Sequence, residues 1–139
     1  MRTFLAIAEL WGLHEMQCRL ILGFPSRPTY QGWCRHAREH RAFTLKVDVL
    51  MRISAVLGIH QALGALFGDE RDGVEWLRQP HDAPVLGGYP PLDLIVSGTQ
   101  DGLMVVRRFL DAARSGLYML PSTADAGYAP YDSGEIIFV

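Results

Sequence analysis

Cys34, His36 and His40 lie close together, and all three are side chains of the metal-binding kind. On a helix, His36 and His40 are four residues apart and share a face, and such a pair can hold zinc. The constellation goes no further. The interval from Cys18 to Cys34 fits no common zinc spacing, and no second ligand pair follows. The histidines therefore read as part of a basic face, and no metal site is expected. No glycine-rich phosphate loop follows a strand pattern, and no nucleophile–base pair can be recognised. The expectation is a protein that is not an enzyme, with no catalytic residues and no cofactor.

Charge points to a different chemistry. The formal net charge of −2 conceals an asymmetry. Residues 1–46 hold Arg2, Arg19, Arg27, Arg35, Arg38, Arg41 and Lys46 against Glu9, Glu15 and Glu39, a net of +4. The remainder holds six bases and twelve acids, a net of −6. A basic first third joined to an acidic remainder points to two different partners.

The elements that must position these residues can be read from apolar spacing. The chain has 139 residues, 49% of them apolar, which suits one compact unit or two small ones packed together. No run approaches the roughly 18 apolar residues of a membrane span. Glu9 interrupts the apolar start and no small-residue cleavage site follows, so no secretory leader is expected. Two cysteines make no disulfide framework and fit a reducing cytoplasm.

Leu5 to Leu10 and Leu13 to Leu22 carry helical spacing, with Gly12 between them and Gly23 closing the second. Ser26 is a suitable N-cap, with Pro28 just inside a third helix from about Arg27 to Arg38. Three short helices with a glycine-containing turn have the outline of a helix-turn-helix. Leu45 to Phe67 is helical in both halves, with a break or bend expected near Gly58 because glycine costs about 1 kcal/mol in a helix interior. Further helices are expected over Asp72 to Gln79, from Pro90-Pro91 through Ile95 to a stop at Gly98, and over Gly102 to Arg114, with Arg107, Arg108 and Arg114 off its apolar stripe. Residues 117–139 lose the helical period and read as an extended tail, with a short strand at its apolar end. The fold expected is mainly α: a helix-turn-helix lobe over 1–44, a small helical domain over 45–116, and the tail.

Within the second lobe, Leu66-Phe67-Gly68-Asp69, Trp76-Leu77 followed by Pro80, Gly87-Gly88-Tyr89-Pro90-Pro91-Leu92-Asp93-Leu94 and Gly102 to Ala112 occur in one order. This series resembles the toxin-binding domain of the Xre/MbcA/ParS antitoxins. Leu22-Gly23-Phe24 and Ser26-x-x-Thr29-x-x-x-Trp33 look like the Xre-type helix-turn-helix that precedes it, so the resemblance covers roughly residues 5–116. It implies an antitoxin of a type II toxin–antitoxin operon whose partner is an NAD-consuming toxin of RES fold. The antitoxin would block that enzyme's active site and, with it, repress its own operon. The resemblance also implies a homodimer, while cysteine usage and the lack of a spanning run set the expectation of a cytoplasmic protein away from membranes.

A recognition helix presents its N-terminal half to base edges and basic residues to phosphates. Arg27, Thr29, Tyr30 and Gln31 occupy that half, with Arg27 suited to guanine and Gln31 to adenine. Arg35, Arg38 and Arg41 would reach phosphates, while Trp33 is expected in the core. Two positions depart from the family: Gly32 stands where a long, often basic residue is usual, and Pro28 stiffens the helix start.

On the toxin side, Trp76, Leu77, Leu92 and Leu94 are expected in the core. Tyr89, Asp93, Tyr118, Tyr128, Tyr131, Asp132 and Glu135 are the candidate contacts, the tyrosines as rigid aromatic anchors. Asp125, Asp132 and Glu135 would mimic or exclude the phosphates of NAD. Asp93 also reads as a first-turn acid favoured by the helix dipole. The competing class is a standalone helix-turn-helix transcriptional regulator with no cognate toxin.

Overall fold

Local signals account for each helix boundary. A computed structural model describes residues 1–116, which form seven α-helices and one 3₁₀ turn, with no strand among the described residues. The mainly α architecture is as expected, whereas the tail lies outside the described residues. Helix α1 (Arg2–Trp11) buries Phe4, Ile7, Ala8 and Trp11 along one face and ends where Gly12 turns left-handed. Leu13 falls in the turn, one step before His14 caps α2 (Glu15–Ile21). The His14 ring accepts the Gln17 N–H while the Gln17 side chain accepts the His14 N–H, a reciprocal box that satisfies two orphan donors. Ser26 caps α3 (Arg27–Arg38), with Pro28 in its first turn, as the sequence predicts.

Helix α4 (Val47–Leu66) is continuous through Gly58, so no break falls there. The glycine serves packing instead. A Cβ at Gly58 would lie 2.7 Å from Nε of Arg107 on α7. That guanidinium lies across α4, donating to the Ser54 carbonyl at 3.4 Å. Arg107 is thus half-buried rather than turned away from the core.

Asp69 caps α5 (Glu70–Arg78), which begins two residues earlier than its apolar spacing suggests. The 3₁₀ turn at Pro84–Leu86 leads into α6 (Pro91–Ile95). Helix α6 stops short of Gly98 because the chain must reverse into α7 (Gln100–Arg114). The Thr99 hydroxyl accepts the Gly102 N–H at 3.1 Å at that corner. Gly102 is packed so closely that a Cβ would lie 2.5 Å from both the Leu94 carbonyl oxygen and Ser97 Oγ.

Helix α4 is the centre of the molecule. It packs chiefly on α7, and also on α1 and α5. Ile53, Ala55, Val56, Ile59, Ala62 and Leu63 are buried in these contacts. By length and composition α4 is apolar enough to cross a membrane, although a few polar residues interrupt its apolar run. In the fold, 39% of its most apolar stretch is buried.

The lobe boundary expected near residues 42–46 is a connection between helices, but packing continues across it. Phe4, Ile7 and Trp11 belong to the same buried cluster as Val56, Ile59, Leu103 and Leu110. Two arginines reinforce the junction. The Arg78 guanidinium on α5 donates to the carbonyls of Trp11 and Gly12 at the end of α1. On α4, Arg52 donates to the Ile21 carbonyl at the end of α2, at 3.3 Å. Both satisfy carbonyls that a helix end leaves without partners.

Close approach and open space give opposite expectations for two helical glycines. Gly102→Ala must push backbone apart and should cost about 1–3 kcal/mol. Gly64→Ala meets no atom within 4 Å and should gain about 0.5–1 kcal/mol. Urea unfolding of the two variants checks the signs; equal stabilities would contradict the tight α6–α7 corner.

Candidate functional site

Helix α3 places its arginines by helical geometry. Arg27, Gln31, Arg35 and Arg38 are spaced four, four and three residues apart and are all exposed, so they form one polar stripe. The opposite side is held inward by Tyr30 and Ala37, with Trp33 half-buried against the same core. Arg41 lies just beyond the helix and pairs with Glu39 at 3.4 Å.

Tyr30 is a correction to the DNA-reading set. Its side chain is 7% exposed and belongs to the core cluster, so it cannot reach a base edge. Burial raises its phenol well above the ordinary value, and hydrogen bonds with the Cys34 and Cys18 thiols act in the same direction. Burial likewise pushes the Cys18 thiol up, opposed by the Tyr30 hydrogen bond. Both groups therefore stay neutral near pH 7.

Thr29 and Arg27 are exposed but engaged. The Ser26 hydroxyl donates to Thr29 Oγ1 at 2.8 Å and accepts the Thr29 N–H at 3.3 Å. Arg27 Nε meets Glu15 Oε1 at 3.3 Å, a surface pair of the kind that is worth little and readily given up. Gly32 has open space where a Cβ would go, so the departure at this position removes a reaching side chain without filling a steric need.

The turn before α3 is built more firmly than its sequence suggests. Gly23 and Phe24 both have positive φ, 92° and 59°. Phe24 pays for that left-handed conformation with strain of about 1–3 kcal/mol. Arg19 offsets part of it. Its guanidinium sits 4.7 Å from the centroid of the Phe24 ring, and its Nε donates to the Pro25 carbonyl at 3.0 Å. Charge counting includes Arg19 in the basic first third and says nothing of this role. The signal for its role was its place in the last turn of α2, within reach of Gly23-Phe24-Pro25.

The histidines near the end of α3 take structural roles. His36 packs on Phe43 at 5.4 Å between ring centroids, and His40 contacts Arg2. Among the described residues, no three His, Cys, Asp or Glu side chains are grouped to hold a metal.

The second surface is carried by the connection from α5 to α6. Trp76 is the anchor beneath it, nearly buried, stacked on His81 at 4.9 Å and on Phe109 at 5.9 Å. His81 Nε2 lies 2.8 Å from the Trp76 carbonyl, fixing the chain as it leaves α5. Trp76, Leu77 and Leu92 are core residues, and Leu94 packs on the core. Leu86 is buried at the end of the 3₁₀ turn, and Gly87 and Gly88 then take positive φ. This sharp turn leaves Tyr89 61% exposed. Asp93 is exposed in the first turn of α6.

Beside this connection, Val85, Val105, Arg108, Phe109 and Ala112 line an open cavity of about 310 Å³. Sequence spacing did not reveal it, because it depends on the 3₁₀ turn meeting the outer face of α7. Tyr118, Tyr128, Tyr131, Asp132 and Glu135 lie outside the described residues.

Residues 62–116 match the antitoxin Xre/MbcA/ParS C-terminal toxin-binding domain. The chain is also similar to the uncharacterized protein y4oB of Sinorhizobium fredii (strain NBRC 101917 / NGR234). Identity is 33% over 116 residues, covering 84% of each chain. No solved structure matches the chain.

Two side chains beneath the polar stripe are open to direct measurement. Arg19→Ala should destabilise by about 1–2 kcal/mol, seen as a lower urea midpoint, because it loses the ring contact and the Pro25 bond together. For Tyr30, ionisation in the unfolded chain begins near the ordinary value of 10.0, whereas the folded phenol resists it. Its contribution to stability is therefore complete below that pH and is lost as pH rises above it. Alkaline titration followed by tyrosinate absorbance should show one tyrosine ionising only with unfolding, and Tyr30→Phe should remove that step. A Tyr30 that titrates freely in the folded protein would contradict its placement.

Proposed function

The chain belongs to the Xre/MbcA/ParS antitoxin family, and from that premise we propose that it neutralises a RES-fold, NAD-consuming toxin and represses its own operon. The observation that carries the reading is the toxin-binding domain over residues 62–116. That domain gives the chain a toxin partner and an antitoxin role in a toxin–antitoxin system. The RES identity of the toxin rests on the wider resemblance, which also takes in the helix-turn-helix outline of α2 and α3.

In this reading the labour divides along the chain. Residues 1–44 bind operator DNA, residues 45–116 hold the toxin, and residues 117–139 help to close its active site. The exposed Tyr89 and the cavity beside Val85 offer an aromatic anchor and an apolar recess on one connection. Asp125, Asp132 and Glu135 would face the basic pocket that takes the phosphates of NAD, with Asp93 a further contact. The tail tyrosines, Tyr118, Tyr128 and Tyr131, would be further anchors. The protein itself carries out no chemistry, and it would act in the cytoplasm as a homodimer within a larger complex.

DNA contact is read mainly as phosphate contact. The stripe of Arg27, Arg35 and Arg38 suits a phosphate backbone, with Arg41 beyond it. Base reading falls to Gln31 and Arg27, since Tyr30 is buried and position 32 has no side chain. This favours modest sequence discrimination over the tight palindrome binding of a standalone regulator.

Co-expression with the toxin encoded by the adjoining gene should restore growth, and the two proteins should co-purify. Failure of both would remove the antitoxin assignment to that toxin. Deleting residues 117–139 should weaken neutralisation; unchanged inhibition would move the contact to the Tyr89 face. In mobility shifts, Arg35→Ala and Arg38→Ala should each weaken promoter binding across sequences and lower the salt slope by about 1. No promoter binding at low salt would reduce the protein to a toxin inhibitor alone.

A further inference from the structure

The chain holds two cysteines, both free thiols, and the fold brings them to one place. Cys18 is on the inward face of α2 and belongs to the buried core cluster. Cys34 is half-buried on α3, four residues after Tyr30, so these two share a helical face. The Tyr30 hydroxyl hydrogen-bonds with both thiols, so a single oxygen is within bonding reach of both sulfurs. All three side chains line one open cavity of about 610 Å³, bounded by α1, α2 and α3. Neither the arginine stripe nor the α5–α6 connection uses this cluster.

We propose that Cys18 and Cys34 are an oxidisable pair, which a hydroperoxide converts to a disulfide joining α2 to α3. The inference goes beyond the antitoxin reading and does not rest on it.

The two thiols differ in access, and that sets the order of events. Cys34 is the partly open one, and Arg35 and Arg38 line the cavity from the same helix. Partly exposed thiols beside guanidinium groups are the ones that react. Glu9 and Glu15 line the part contributed by α1 and α2. Burial, with the Glu15 charge adding to it, keeps the Cys18 thiol protonated. Cys34 therefore reacts first. Its sulfur attacks the outer oxygen of the hydroperoxide, the O–O bond breaks, and the alcohol (water, from hydrogen peroxide) leaves with the thiol proton. Cys34 is then a sulfenic acid. The Cys18 sulfur attacks the Cys34 sulfur, the S–O bond breaks, and the hydroxyl leaves as water with the Cys18 proton. Two thiols are oxidised and one peroxide bond is reduced. Under reducing conditions such a bridge is transient, which is the redox-sensing use of a cysteine pair. It ties α2 to the middle of the helix that carries the arginine stripe.

The test uses the full chain, reduced and free of toxin and DNA, treated with hydrogen peroxide at neutral pH. Both thiols should disappear together, the intact mass should fall by two hydrogens, and dithiothreitol should restore them. Peptide mapping should join Cys18 to Cys34 within one chain. Cys34→Ala should leave Cys18 a thiol, consumed at least about 10-fold more slowly than in the wild type, because the accessible sulfur is gone. Cys18→Ala should leave Cys34 as a sulfenic acid that dimedone traps. Circular dichroism checks that each variant folds, and the wild-type mass decides the bridge without either. Four results would overturn the proposal: a wild type that keeps both thiols, one that gains oxygen without losing two hydrogens, bridges formed only between separate chains, or a folded Cys34→Ala variant whose Cys18 reacts at the wild-type rate.

Discussion

An apolar-all-round helix has to be covered, and the rest of this fold follows from covering α4. Ile53, Val56 and Ile59 are removed from water only if α7 lies along one side and α1 and α5 close others. Each buried side chain of this size contributes roughly 1.5–3 kcal/mol, more than any cap or ion pair in the molecule. The helix is long enough to reach both functional halves, so the same burial that stabilises it also joins them. A helix-turn-helix usually closes its own core with its own helices. Here α1 closes against α4, which belongs equally to the lobe that holds the partner.

That sharing makes the polar contacts at the junction consequential. Arg78 and Arg52 are directed at the carbonyl ends of α1 and α2, where the helix dipoles are negative and the carbonyls would otherwise need water. Neither is a free-standing surface ion pair. Each ties the lobe carrying the toxin-binding domain to a terminus in the basic lobe, and Arg52 does so next to the turn that leads into α3.

Much of this was legible in the residues. Ser26, Pro28 and Gly23 bracket α3 because capping and left-handed termination are local and depend on few neighbours. Trp76, Leu77 and Leu92 fall in the core because apolar spacing reports burial directly. The misses share a cause. Gly58 reads as a break in an isolated helix, yet it is an opening for Arg107 from a helix distant in sequence. Tyr30 reads as a contact by its place in the first turns of α3, but whether a helical side chain faces inward depends on what packs against it. The cavity beside Val85 arises only when two distant segments meet. Periodicity gives the faces of helices and says little about which neighbour each face will find.

The contrast between the two surfaces is then a physical one. On α3, the side chains suited to base edges are reduced: Tyr30 is spent on the core, Thr29 on the cap, and position 32 has none. What remains is a row of guanidinium groups, which bind through charge and discriminate little. On the α5–α6 connection the order is reversed. Trp76, stacked between His81 and Phe109, fixes the platform, and paired glycines hold Tyr89 outward at a set angle. A pre-set aromatic on a rigid base loses little entropy on binding and so contributes more of its contact energy to affinity. The guanidinium row on α3 has no such platform beneath it, and its attraction is that of charge alone.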